Sequence, residues 1–309
     1  MKKFLLLIMA GLCLSHAKAQ TLNDGLMMPK RNLCTGFIFT QDKWGNYWEG
    51  AKLRDNQNIG KVTNSSIMWM GAYGITDKLN AIAVVPYITT KSSLGTMQGM
   101  EGIQDLTLAL KYNFLDYETG HIKFKTFAVG SFSTPLAPYT IDYLPLSIGM
   151  GSTNLGGRLT TFAHIKKTWF VNASGGYTWR SNVSIDRTSY FTEGKLYLSN
   201  EVKMPPVFDY FISAGYLKNG LQAELFFVQQ NTLGGGDIRR QDMPFVSNKM
   251  NFSRSGVLVM YYIPQVKGLA VRGSASYTLA GRNFGQSAFF LGGLLYTIKF
   301  SPKSKSINP

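Results

Sequence analysis

The chain has 309 residues, of which 16% are charged and 13% aromatic, with 32 glycines and a formal net charge of +15. So low a charged fraction argues against an ordinary soluble globular domain of this length, although an exported β-sandwich would share it. Strong basicity points first to nucleic acid, but the N-terminus carries the chain out of the cytoplasm, which argues against that partner.

Residues 1–19 have a basic tip (Lys2, Lys3), an apolar run over 4–14, and Ala17-Lys18-Ala19 before Gln20. This is the pattern of a cleaved secretory signal peptide, and its apolar run falls short of the roughly 20 residues that span a bilayer as a helix. Leu12 before Cys13 argues against lipoprotein processing. Cleavage removes three lysines and no acid, which lowers the formal charge to +12. It also leaves Cys34 alone, so the mature chain can form no internal disulfide and no cysteine metal cluster. Residues 20–32 are expected as an N-terminal periplasmic segment, 33–300 as a β-barrel and 301–309 as a polar tail.

Beyond the leader, period-2 alternation predicts twelve strands, at 33–41, 65–74, 79–89, 104–114, 121–133, 153–164, 169–180, 207–217, 221–230, 251–263, 269–279 and 287–300. The clearest hairpin lies within 103–133. Leu106, Leu108, Leu110, Tyr112 and Phe114 share one face, while Asp105, Thr107, Lys111 and Asn113 share the other with Ala109. The stretch 116–120 reads as the turn, after which Ile122 and Phe124 alternate with Lys123 and Lys125. The connections alternate between long (42–64, 90–103, 134–152, 181–206, 231–250) and short. Long outer loops and tight periplasmic turns are the rule for outer-membrane barrels, and an even strand count leaves both termini in the periplasm. The fold class is therefore all-β, a transmembrane antiparallel up-and-down barrel with lipid outside and a polar lumen inside.

Aromatic residues fall at strand ends. Tyr73, Tyr112, Phe114, Trp169, Tyr216, Tyr262, Tyr296 and Phe300 are expected in a periplasmic girdle. Tyr87, Phe132, Tyr177, Trp179, Phe208, Tyr210, Tyr277 and Phe290 are expected in an outer one. The last strand, with Leu294, Tyr296, Ile298 and Phe300 on one face, resembles the C-terminal signal that outer-membrane proteins present to the barrel assembly machinery, here followed by a polar tail.

The run Gly102, Asp105, Leu106, Leu108, Leu110, Lys111 and Tyr112 resembles a hallmark strand of the outer-membrane proteins grouped with the phenol-degradation meta-pathway (MetA-pathway) transporter-like proteins. Val84-Val85-Pro86-Tyr87, after the Gly74-x-Thr76-Asp77 turn, is similar to that family's second hairpin. The resemblance implies an outer-membrane barrel of transporter type for small, frequently hydrophobic compounds, and it transfers no site residues.

Alternation places Asp105, Lys111, Lys123, Lys125, Arg158, Asn172, Arg180, Asp209, Glu224 and Arg272 toward the lumen. A charge on the lipid face would cost about 2–4 kcal/mol near the midplane. Bases outnumber acids in this set, which predicts some preference for anions. Two readings stay open: a channel passing small solutes, possibly hydrophobic or anionic, or a barrel plugged by its own side chains and serving a structural or adhesive role. A third, a lipid-modifying enzyme, has only His121 and His164 to work with, both at periplasmic strand ends. No catalytic residue, metal or cofactor is expected. Asp24-Gly25, and Asp237 and Asp242 around Gly234–Gly236, read as surface turns. The expected partners are outer-membrane lipids, the assembly machinery and an unknown small solute.

Overall fold

A computed structural model describes residues 21–239 and 243–300, so the leader at 1–19, the tail at 301–309 and Asp242 lie outside it. Twelve strands form the wall: β1 (Asn32–Glu49), β2 (Val62–Gly74), β3 (Leu79–Ser92), β4 (Asp105–Thr119), β5 (Ile122–Pro135), β6 (Asn154–Ile165), β7 (Trp169–Arg180), β8 (Val207–Lys218), β9 (Leu221–Thr232), β10 (Asn251–Tyr262), β11 (Leu269–Arg282) and β12 (Gly285–Lys299). Each pairs antiparallel with the next, and β12 pairs with β1 from Asn32↔Lys299 to Tyr47↔Gly285. Closure leaves no strand edge unpaired, the condition for a β-structure to sit in hydrocarbon. Twelve residues at ~3.3 Å each, tilted ~40°, cover about 30 Å, enough for the apolar belt.

The alternation behind the strands is realised in the wall. On β4, Leu108, Leu110, Tyr112 and Phe114 stand on the outer surface, while Ala109, Lys111 and Asn113 are buried inside. Phe37, Ile67, Leu155, Leu159, Leu225 and Leu294 continue the outer apolar band on other strands. A closed antiparallel barrel wearing such a band belongs in the outer membrane. Placing a charge on this band sets up a direct comparison: Leu108→Arg should abolish membrane assembly while Thr107→Arg, pointing inward, is tolerated. Equal yields of folded barrel in a heat-modifiability gel would contradict the register.

Local chemistry fixes the ends of the strands. Asn219 and Gly220 turn β8 into β9 with φ of 53° and 78°, the left-handed pair that a two-residue hairpin needs. Pro86 has no N–H to give, and β3 pairs with β4 only from Leu79↔Tyr112 to Val84↔Thr107. Beyond Pro86 its partner is a short strand at Glu101–Ile103, and Gln104 bridges the break by donating to the Pro86 carbonyl at 3.0 Å.

Three expectations are corrected. The stretch 116–120 is not a turn: after a bulge between Asn113 and Leu115, β4 runs on to Thr119 and the reversal falls at Gly120. Opposite charges across the extension hold it, with Lys123 Nζ 3.4 Å from Asp116 and Lys125 Nζ 3.3 Å from Asp116. Tyr262 does not join the periplasmic girdle; it faces inward against a buried apolar cluster, and Tyr261 takes the outward place. The inner surface is also less polar than expected. Met70, Ala72, Ile82, Val129, Met260 and Leu295 form a cluster inside the barrel around Met28.

Met28 reaches that cluster because residues 21–28 do not stand free in the periplasm but run inside the lumen. The barrel thus has a core, made by its inner wall and its own N-terminal segment. At the other end the loops fold together: Ile141, Val183, Val202, Phe245 and Val246 come from three of them and are buried as one cluster. Tyr139 ties the first of these loops to the wall, donating to Asp105 Oδ1 at 2.6 Å. Burial, and then this bond to a carboxylate, push its phenol above the ordinary range.

A second loop is tied by charge. Asp237 accepts from Arg282 Nε at 2.8 Å and from Asn283 Nδ2 at 2.8 Å. The Arg282 bonds hold its carboxyl below the ordinary value. The tether is therefore complete above about pH 3.9, the unfolded carboxylate value, and is lost as the pH falls through the lower folded value. Hydrogen-exchange protection factors in 231–239 and 243–250 should hold at pH 5 and fall only in stronger acid. A fall already at pH 5 would show that Asp237 does not hold the loop.

Candidate functional site: the lumen and its N-terminal insert

The insert is shaped by Asp24. Its carboxylate accepts from Thr21 N at 2.5 Å, Thr21 Oγ1 at 2.8 Å and Leu26 N at 3.0 Å, folding the segment on itself. The same residue anchors the segment to the wall. Lys111 Nζ donates to Asp24 Oδ1 at 3.0 Å, to the Asp24 carbonyl at 2.5 Å and to the Thr21 carbonyl at 3.1 Å. The Lys111 side chain is 0% exposed, and its ammonium lies 5.0 Å above the Phe127 ring. Buried this completely, the ammonium needs all three acceptors. Asn172 Nδ2 adds a bond to the Asn23 carbonyl at 2.8 Å. Gly25 passes so close to Phe162 that a Cβ there would overlap the ring. Asp24-Gly25, expected as a surface turn, is thus the fastening of a lumenal segment.

A second charged pair lies along the inner wall. Arg158 on β6 donates to both Asp209 oxygens on β8, at 2.7 and 2.5 Å, spanning β7. The residue beneath the guanidinium is Gly176, in register with both partners. A Cβ on Gly176 would stand 2.8 Å from Arg158 Nη2, so a larger residue there would make the guanidinium shift. Gly176→Ala should displace the Arg158 guanidinium while keeping the barrel, and a crystallographic Arg158 position unchanged from the wild type would refute this.

The remaining predicted residues divide by depth. Arg180 donates to the Pro205 carbonyl at 2.7 Å, and Glu224 accepts from Ser213 Oγ at 3.0 Å. Arg272 and Glu224 share a lumenal cavity of about 200 Å³ with Asp24. Lys123 and Lys125 lie on the inward face but in the hairpin extension, paired with Asp116 rather than with anything in the bore. Two charged groups escaped the sequence reading. Asp42 and Arg254 meet at 3.1 Å, with Arg254 also bonded to Ser287 at 2.6 Å. Asp42 was read as loop, although the inward rhythm of Cys34, Ile38 and Thr40 runs straight on to it.

With Asp24 and Asp42 included, the charge balance changes. Asp24, Asp42, Asp105, Asp209 and Glu224 stand against Lys111, Arg158, Arg180, Arg254 and Arg272, so the bore is close to neutral rather than basic.

Fold and lumen together define a closed, twelve-stranded outer-membrane β-barrel. No family model matches the sequence, and neither does any curated protein. Among solved structures, the chain is similar to an outer membrane channel from Pseudomonas putida F1, with a TM-score of 0.68 and 13% identity over 91% of this chain and all of that one. Looser likenesses are to the NanC porin (TM-score 0.48, 8% identity, 84% of this chain, 98% of that) and to the toluene transporter TbuX of Ralstonia pickettii (0.39, 13%, 90% and 91%).

Proposed function

We propose that the protein is a passive outer-membrane channel for small solutes, throttled by its own N-terminal segment. The observation that carries this reading is the manner of occlusion. The bore is not filled by wall side chains alone; it is narrowed by a folded segment, residues 21–28, held by one ion pair, a few hydrogen bonds and the buried Met28 beside an open cavity. The likeness to a solved outer membrane channel supports the same reading, and the 102–112 motif supports placing the chain with the meta-pathway transporter-like group. We propose no catalytic role: His121 and His164 sit at the periplasmic end, far from the outer leaflet where a lipid hydrolase would work. The last strand is proposed as the assembly machinery's recognition element.

The test is single-channel recording on the refolded mature protein in a planar bilayer. Small discrete openings with little ion preference are expected, and larger ones once residues 21–28 are deleted. An inserted barrel silent in both forms would be a closed structural element, and the channel reading would fall.

A further inference from the structure

The cavity beside the insert has a composition that the channel reading leaves unused. Part of its lining is apolar: Phe211 and Phe226, with rings stacked at 5.7 Å, together with Leu258, Met260 and Leu291. Beside these stand polar groups of both signs, with Arg272 from β11, Glu224 and Gln222 from β9 in register with Leu258 and Met260, and Asp24 from the insert. Two of these polar atoms are unsatisfied. Arg272 Nε is buried without a hydrogen-bond partner, and so is the Gln222 carbonyl oxygen Oε1. Native proteins rarely leave such groups unpaired. Asp24 is committed to Lys111 and to its own backbone, and the Glu224 carboxylate is held from one side by Ser213 Oγ at 3.0 Å.

A ligand that completes this wall must accept from the guanidinium and also donate to the Gln222–Glu224 side. A simple anion would meet Arg272 but face two carboxylates, whereas a simple cation would meet the carboxylates but face Arg272. A zwitterion satisfies both. We propose that the cavity is a binding site for a small zwitterion with an apolar body, an α-amino acid with an aromatic or branched aliphatic side chain. Its carboxylate lies on Arg272, its ammonium on Gln222 and Glu224, and its side chain between Phe211, Phe226 and Met260. The size agrees: an apolar cavity of ~150 Å³ holds benzene, so about 200 Å³ takes one ring and a compact head group. The proposal deepens the channel reading and rests on it only for the idea that the bound molecule passes through.

Binding is measured directly, by calorimetric titration of the refolded mature barrel in detergent. The probes are L-phenylalanine, 3-phenylpropanoate, which lacks the ammonium, and 2-phenylethylamine, which lacks the carboxylate. L-Phenylalanine should saturate a single site, with each analogue at least tenfold weaker. Arg272→Gln should weaken L-phenylalanine at least tenfold and tighten 2-phenylethylamine, whose ammonium no longer faces the guanidinium. Phe226→Ala, which leaves every charge in place, should weaken L-phenylalanine at least fivefold and serves if the arginine variant does not fold. Absence of saturable binding, equal affinity for either analogue, or variants that bind like the wild type would overturn the site. A barrel that binds but never conducts would end the channel reading and leave the site; one that conducts but does not bind would do the reverse.

Discussion

Asp24→Ala should open the barrel. The substitution strips a fully buried ammonium of its counter-ion and leaves Lys111 Nζ with two backbone carbonyls. Removing one partner of a buried ion pair costs about 3–5 kcal/mol, because the other charge stays buried. Here the protein can avoid that cost by letting the segment leave, so that water reaches Lys111. A shift of ~3 kcal/mol changes the ratio of docked to undocked segment by about a hundredfold. The mean conductance should therefore rise close to that of a variant lacking residues 21–28. Asn172→Ala, which removes one neutral hydrogen bond to Asn23, is a control worth only about 1 kcal/mol and should shift conductance little. Adding Lys111→Met to Asp24→Ala should restore much of the occlusion, since no unpaired charge then remains, and the double-mutant cycle isolates the pair. If the deletion opens the bore but Asp24→Ala does not, the apolar anchors hold the segment instead, with Met28 against the inner cluster and Met27 against Phe127, Phe162 and Phe170.

The insert also marks the boundary of what the sequence could tell. The wall was legible because its information is local: a lipid-facing residue at every second position writes its own strand, and all twelve strands appear, several longer than expected. β1 runs to Glu49 because its extension pairs with a short returning strand at Lys52–Asp55, a contact that alternation alone does not announce. The inside of the barrel depends on distant pairs. Asp24 meets Lys111 across 87 residues and Asp42 meets Arg254 across 212, so neither pairing leaves a periodic trace. Phe127 and Arg254 both face inward. Phe127 is packed under Lys111, and Arg254 lies between the rings of Phe252 and Phe289. An apolar residue on the lumenal side breaks a rule that assumes water there, and in this barrel much of that space is core.

Because the lumenal charges are paired, ion selectivity should respond to their sum and not to any single base. The wild-type bore should show little preference between potassium and chloride, contrary to the anion preference that the inward bases alone suggest. Arg158→Glu changes the local charge by two units and sets a new carboxylate beside Asp209, so the potassium-to-chloride permeability ratio should rise about tenfold, equivalent to ~1.4 kcal/mol of barrier difference. The exchange Arg158→Asp with Asp209→Arg keeps both the sum and the pair across Gly176, and it should leave reversal potentials in a salt gradient where the wild type has them. If the exchange shifts selectivity as strongly as Arg158→Glu does, position outweighs sum and the neutral-bore account fails. If neither variant shifts it, the permeating ions do not pass Arg158 at all. The path would then lie along the cavity wall formed by β9 to β12, on the side where Glu224 and Arg272 stand.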